Sequence, residues 1–150
     1  MEMNNVAVLC DVTNIRAQMP RSLNYGACLK FFSDVGEMRY VRAYMLKQDK
    51  LEHVLSSCGF DLIVRKKEKI DFTVLLAIDA MKIINDVQTY IIMSNNCNVM
   101  PLAAELAQQG KCVVFFNAVE SEFIQKLTEK YPKDVYFIRI PLECYNELHD

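Results

Sequence analysis

The run Val6-Ala7-Val8-Leu9-Cys10, followed at once by Asp11-Val12-Thr13-Asn14, decides the fold. Five consecutive apolar residues bounded by polar ones are the pattern of a strand buried on both faces, as in a parallel sheet covered by helices on each side. A carboxylate directly after such a strand is desolvated unless a cation or hydrogen-bond donors meet it, which makes Asp11 the first candidate functional residue.

Outward from this run, short apolar segments alternate with helical patterns, and turn signals separate them. The pattern predicts a helix over 25–34 stopped by Gly36, a strand over 39–46, a helix over 50–57 stopped by Gly59, and the strand Phe60-Asp61-Leu62-Ile63-Val64. A helix comes next over 71–85. Its apolar residues (Phe72, Leu75, Leu76, Ile78, Met81 and Ile83) lie nearly all round, so it is expected to be well buried. Then come the strand Tyr90-Ile91-Ile92-Met93, a helix opened by Pro101 and stopped by Gly110, and the strand Cys112-Val113-Val114-Phe115-Phe116. A helix over 121–130 and a sixth strand over 135–140 complete the reading. Strands separated by helices imply right-handed crossovers and an α/β fold with a mostly parallel, five- to six-stranded sheet. No repeat, low-complexity tract or long linker interrupts the chain, so residues 1–150 are read as a single domain.

Hydrophobic residues make up 52% of the 150 and charged residues 24%, a globular composition rather than a disordered one. No stretch approaches the ~18 apolar residues needed to span a bilayer. The start, Met1-Glu2-Met3-Asn4-Asn5, lacks the basic and apolar regions of a secretory signal, and the expectation is a soluble, cytoplasmic protein with no membrane partner. The six cysteines sit in apolar runs, helical patterns and a polar loop without CxxC or Cys/His spacing. They read as reduced, mostly packed thiols, and zinc is not expected. A net charge of −2 gives no global pull toward nucleic acid. The basic residues nevertheless cluster, in Arg65-Lys66-Lys67-Glu68-Lys69 and in Arg39, Arg42, Lys47 and Lys50. A charge run is ordinarily a solvated face, so only its position could give it a further meaning.

In open α/β sheets ligands bind beyond the carboxyl ends of the strands, near a switch in strand order. There this chain has Asp11 and Asn14 after the first strand, the basic run and then Asp71 after the third, and Ser94-Asn95-Asn96-Cys97-Asn98 after the fourth. Carboxylates that converge repel one another, and a shared divalent cation is the usual reason for them to do so; Mg²⁺ takes such hard oxygen ligands and often a substrate phosphate as well. Each residue also has a structural use. Asp71 suits a helix N-terminus, Asn98 an N-cap for the helix at Pro101, and Asn14 an Asx-turn. Asp79 lies about 12 Å along the helix from Asp71 at a rise of ~1.5 Å per residue, too far to share one ion. It is either a group supporting the site from behind or the partner of a basic side chain. Dinucleotide and P-loop motifs are absent. Thr13 stands where a haloacid-dehalogenase-like hydrolase needs a second carboxylate, and Arg65 where a response-regulator receiver needs an aspartate.

Taken together, these segments resemble the NYN domain family, in its LabA-like branch of the PIN-like nucleases. Asp11-Val12-Thr13-Asn14 resembles that family's first-strand aspartate and asparagine, and Lys69-Ile70-Asp71 through Ile78-Asp79-Ala80-Met81 its helix start. The stretch from Ser94 to Leu102 is similar to its serine-and-aspartate segment ahead of Pro-Leu, and Gly110-Lys111-Cys112-Val113-Val114 to its next glycine-lysine segment. The resemblance spans about residues 6 to 116. It implies a PIN-like, Rossmannoid three-layer sandwich and metal-dependent cleavage of RNA. Asp11, Asp71 and Asn96 would hold Mg²⁺ or Mn²⁺, and these three with Asn98 would form the catalytic set. Asn14 and Ser94 would line the substrate, single-stranded or structured RNA, while Arg65, Lys66, Lys67 and Lys69 meet its backbone at the mouth.

The departure from that pattern carries as much weight. The family has two aspartates after the fourth strand where this chain has Asn96 and Asn98, and Lys69 replaces the usual glycine before Asp71. Two charges are missing from the metal site, and neutral amide oxygens attract a divalent ion less. Two functions stand side by side: a metal-dependent ribonuclease weakened at its acidic site, and a non-cutting NYN fold that binds RNA or regulates through a protein partner, with metal weak or absent. The segment from Tyr131 to Tyr145, rich in apolar and aromatic residues, is core or else a surface for a partner or a second copy.

Overall fold

Burial along the first run is complete, for Val6, Ala7, Val8, Leu9 and Cys10 are all 0% exposed, and the sheet is assembled around them. The computed structural model describes residues 4–19, 21–66 and 71–147. The strands are β1 (Asn5–Asp11), β2 (Glu37–Leu46), β3 (Asp61–Arg65), β4 (Thr89–Met93), β5 (Cys112–Asn117) and β6 (Val135–Arg139). They form one sheet in the order β3-β2-β1-β4-β5-β6, and every pairing is parallel. The helices are α1 (Val12–Gln18), α2 (Tyr25–Phe31), α3 (Asp49–Ser57), α4 (Thr73–Lys82), α5 (Met100–Gln108) and α6 (Glu122–Lys130), with short 3-10 turns at Cys97–Val99 and Leu142–Cys144.

Side chains of a strand alternate between faces, and β1 divides its residues between two cores. Ala7 and Leu9 join the one built by α4, α5 and α6, with Leu76, Ala80, Leu106 and Ile124. Val6, Val8 and Cys10 join the other, under α1, α2 and α3, with Ile15, Cys28 and Leu55. Each fully buried aliphatic side chain contributes about 1.5–3 kcal/mol, so the three layers hold together chiefly through these two faces.

The strands expected from the pattern all form, including the sixth. β2 begins two residues earlier than read, at Glu37, and α2 ends at Phe31 rather than Asp34. α1 was not anticipated: its seven residues succeed β1 without a loop, because the Asp11 side chain accepts the Asn14 backbone N–H and caps the helix at once. The expectation of an all-round buried α4 needs correcting. Phe72, Leu76 and Ala80 pack on the sheet, whereas Val74 and Ile78 are 65% and 47% exposed, since α4 lies in an outer layer and buries one face only. All six cysteines are free, with Cys10, Cys28 and Cys144 buried and Cys97 exposed. No helix among the described residues is long and apolar enough to cross a membrane.

The link into β2 leaves no room for a side chain at Gly36. A Cβ there would lie 2.1 Å from the carbonyl oxygen of Asn4, which accepts the Glu37 N–H at 2.9 Å where β1 and β2 begin to pair. Gly36→Ala is therefore expected to lower the unfolding free energy by about 2 kcal/mol, read as a reduced midpoint in urea with an unchanged slope.

Candidate functional site

β1 and β4 are neighbours in the sheet although β2 and β3 separate them in sequence, so the strand order reverses between them. At that switch point the carboxyl ends of the two strands open a cleft of about 480 Å³, lined by Asp11, Thr13, Asn14, Leu46, Asp71, Phe72 and Asn96. Asp11 and Asp71, distant in sequence, thus border one space. Asp11 ends β1 and is 4% exposed. Asp71 precedes α4, and its Oδ1 accepts the Thr73 N–H at 2.9 Å, which is the helix-start role its position suggested.

The loop after β4 is tied down on every side. Asn14 Oδ1 accepts the backbone N–H of Asn95 at 2.8 Å, joining α1 to that loop rather than closing an Asx-turn. Asn96 Oδ1 accepts the Asn98 backbone N–H at 2.9 Å, so Asn96 rather than Asn98 caps the turn ahead of α5. Ser94, read from sequence as lining the substrate, is fully buried. Its hydroxyl accepts the Asn96 N–H at 3.2 Å and its carbonyl accepts from Asn117, so it shapes the loop from beneath.

Two amides converge on Asp71. Asn96 Nδ2 donates to Oδ1 at 3.1 Å, and Asn98 Nδ2 donates to Oδ2 at 2.8 Å. The Thr73 hydroxyl and amide beside the carboxyl, then the Asn98 and Asn96 amides, hold its pKa below the usual carboxylate range against the opposing effect of partial burial. Asp11 goes the other way. Burial pushes its carboxyl up to about 6, the Asn14 N–H works against this, and the Asp71 charge adds to the rise.

This donor set fits a resident Mg²⁺ or Mn²⁺ poorly. A hard cation needs several oxygen ligands, and three N–H groups already occupy the Asp71 carboxylate, two on Oδ1 and one on Oδ2. The Asn96 amide cannot turn its oxygen inward without losing the bond to Asn98 N–H, so it presents its nitrogen to the carboxylate. The amides satisfy the Asp71 carboxylate by hydrogen bonding, with its charge retained, where the resemblance would place a metal. Among the described residues, no group of three or more His, Cys, Asp or Glu side chains is arranged to hold an ion.

The remaining candidates lie outside this centre. Asp79 accepts the Tyr44 hydroxyl at 2.7 Å and faces Arg42 at 3.5 Å, so it is the partner of a basic side chain. Burial first, and then that bond to Asp79, raise the Tyr44 phenol well above its ordinary pKa. Arg65 pairs in register with the cleft residue Leu46 and is exposed, as is Lys66 next to it, but neither lines the cleft. Lys67, Lys69 and Ile70 lie outside the described residues. Sequence reasoning singled out neither Leu46 nor Phe72 as a cleft wall, because each reads as an ordinary apolar residue of its strand or helix.

The chain is a doubly wound, all-parallel three-layer sandwich with carboxylates beyond β1 and ahead of α4, and its family match makes it a PIN-like domain of nuclease type. The chain belongs to the NYN domain family, whose model matches residues 5–138. No curated protein matches it. Among solved structures, a protein of unknown function from Vibrio parahaemolyticus is similar over 97% of this chain and 100% of that one, with 20% identity and a TM-score of 0.82. That likeness is one of fold. An NAD binding oxidoreductase from Klebsiella pneumoniae overlaps 91% of this chain and 34% of that one at 15% identity and a TM-score of 0.42, too low to carry an argument.

Proposed function

We propose that this NYN domain binds RNA across the switch-point cleft and does not cut it, acting as a cytoplasmic RNA-binding or regulatory member of the LabA-like branch. One observation carries the reading: the Asn96 and Asn98 amides donate to both oxygens of Asp71, where hydrolysis in the family's manner would require a cation between carboxylates. Nucleic acid is the partner class that the family suggests, and exposed Arg65, in register with the cleft residue Leu46, and its exposed neighbour Lys66 suit a phosphate backbone. The competing reading, a Mg²⁺- or Mn²⁺-dependent ribonuclease, is favoured by Asp11 and Asp71 bordering one cleft.

Single-stranded and hairpin RNA incubated with the protein in Mg²⁺ or Mn²⁺ should stay intact. The same RNA should shift in a binding assay, and Arg65→Gln with Lys66→Gln should weaken binding by about tenfold. Cleavage in Mn²⁺ that disappears in Asp11→Ala would establish the nuclease instead, and absence of binding at moderate salt would remove RNA as the ligand.

A further inference from the structure

The cleft does not end at Thr13 and Leu46. These two residues also line a second depression of about 330 Å³, whose walls continue through Lys47 and Gln48 to Arg16 and Leu51. Arg16 and Leu51 in turn line a third, of about 390 Å³, which reaches Arg21, Tyr25 and Val54. Shared walls set the three depressions one after another beside α1, from the cleft that Asp11 and Asp71 border to the pocket that Arg16 and Arg21 border.

Charge along this series is uneven. Lys47, midway, is met by Asp49 at 2.9 Å and Glu52 at 3.1 Å, so its charge is answered within the protein. Arg16 and Arg21 are held by neutral groups instead, the side-chain oxygen of Gln48 and the carbonyl of Asn146. Neither makes an ion pair among the described residues, and no carboxylate lines the pocket that both border. Structural uses exist for each: Arg16 lies in the last turn of α1, where a cation complements the helix dipole, and Arg21 lies 5.9 Å from the Tyr145 ring while fastening the C-terminal segment. Those uses explain where the side chains lie, but they do not supply an anion. The pocket's aliphatic wall is also open to solvent, with Val54 48% exposed on α3.

The geometry points to this far pocket as a phosphate subsite for single-stranded RNA, gripping the strand whose neighbouring nucleotides lie over the Asp11–Asp71 cleft; this rests on the RNA-binding reading above. Two guanidiniums with no ion-pair partner among the described residues suit phosphodiester oxygens, which they meet bidentately. Aliphatic rather than exposed aromatic walls offer little base stacking, so binding should depend on backbone and salt more than on base sequence.

The test is fluorescence anisotropy with a labelled single-stranded RNA of about ten nucleotides, titrated over a range of salt. Arg16→Gln with Arg21→Gln should weaken binding about tenfold, and the slope of log affinity against log salt should shrink by about 0.7 for each phosphate no longer neutralised. Because Arg21→Gln also removes a bond that fastens the C-terminal segment, Val54→Glu is the second arm. It sets a negative charge on the exposed wall, touches neither guanidinium contact, and should also weaken binding. Lys126→Gln, on α6 and paired with Glu122, serves as the charge control and should change nothing. If wild type binds RNA and both pocket variants, folded by circular dichroism, keep its affinity and slope, the subsite is refuted while the RNA reading stands. If polyaspartate competes as well as RNA, the pocket belongs to an acidic protein and the assignment fails. A wild type that binds no RNA removes the reading and the subsite together.

Discussion

Asp11→Asn is expected to stabilise the protein at pH 8 by up to about 3 kcal/mol, with the gain disappearing by about pH 4. The Asp11 carboxyl titrates at about 6 in the fold, against an ordinary value of 3.8, and a difference of that size corresponds to about 3 kcal/mol. The native state therefore holds a proton that the unfolded chain has released. Stability from this group is fully present below the unfolded pKa and is lost as pH rises through 6. Asparagine keeps the side-chain oxygen that accepts the Asn14 N–H, so the α1 cap survives while the buried charge goes. Urea melts of both proteins from pH 4 to 8 should give curves that nearly meet at pH 4, separate between about pH 4 and 6, and run parallel above. Curves parallel over the whole range would mean that the cleft solvates the carboxylate and that Asp11 carries no such cost. RNA binding supplies a second readout: the ionised carboxylate repels phosphate, so wild-type affinity should rise as pH falls through 6, and the variant should lose that dependence.

A carboxylate held at such expense is what the first strand advertised, and the reason it could be read is local. Asp11 comes directly after five apolar residues, so its burial comes from the strand itself. A mostly parallel layering was legible for the same reason, since each strand is a short apolar run closed by a turn signal. The strand order was not, because which neighbour β1 takes on each side depends on how the crossovers place the later strands, which local hydropathy does not encode. α1 escaped notice because seven residues beginning Val-Thr-Asn look like a loop until the Asp11 cap is seen. The presence of Asn96 and Asn98 in place of aspartates was plain in the sequence, but its chemical consequence was not. An amide can present either its oxygen or its nitrogen, and only the bond from Asn98 N–H to Asn96 Oδ1 makes Asn96 a donor toward Asp71. Arg16 and Arg21 belong to no run of charge; the fold, by placing α1 against β2 with Leu51 and Val54 of α3 lining the same pocket, brings them together.

Asn96→Asp combined with Asn98→Asp should make the fold depend on a divalent ion. In the wild type two N–H donors reach Asp71 at 3.1 and 2.8 Å. In the double variant both become carboxylates, so oxygens oppose oxygens and two more negative charges enter the cleft that Asp11 borders. Without metal this should lower stability by about 1–2 kcal/mol, through lost hydrogen bonds and like-charge repulsion that solvent partly screens. The carboxylate at position 96 can still accept the backbone N–H of residue 98 with one oxygen and turn the other toward a cation, which the amide cannot do. An ion present at a hundred times its dissociation constant then returns about 2.7 kcal/mol, or roughly 5–10 °C in Tm for a chain of this size. Thermal melts with and without millimolar Mn²⁺ should accordingly leave the wild type unmoved and raise the double variant. A variant no less stable than wild type and indifferent to Mn²⁺ would show that the amides do not stand in for a cation. A wild type that itself rises with Mn²⁺ would show that Asp11 and Asp71 suffice to hold one, and would return the cleft to the nucleases.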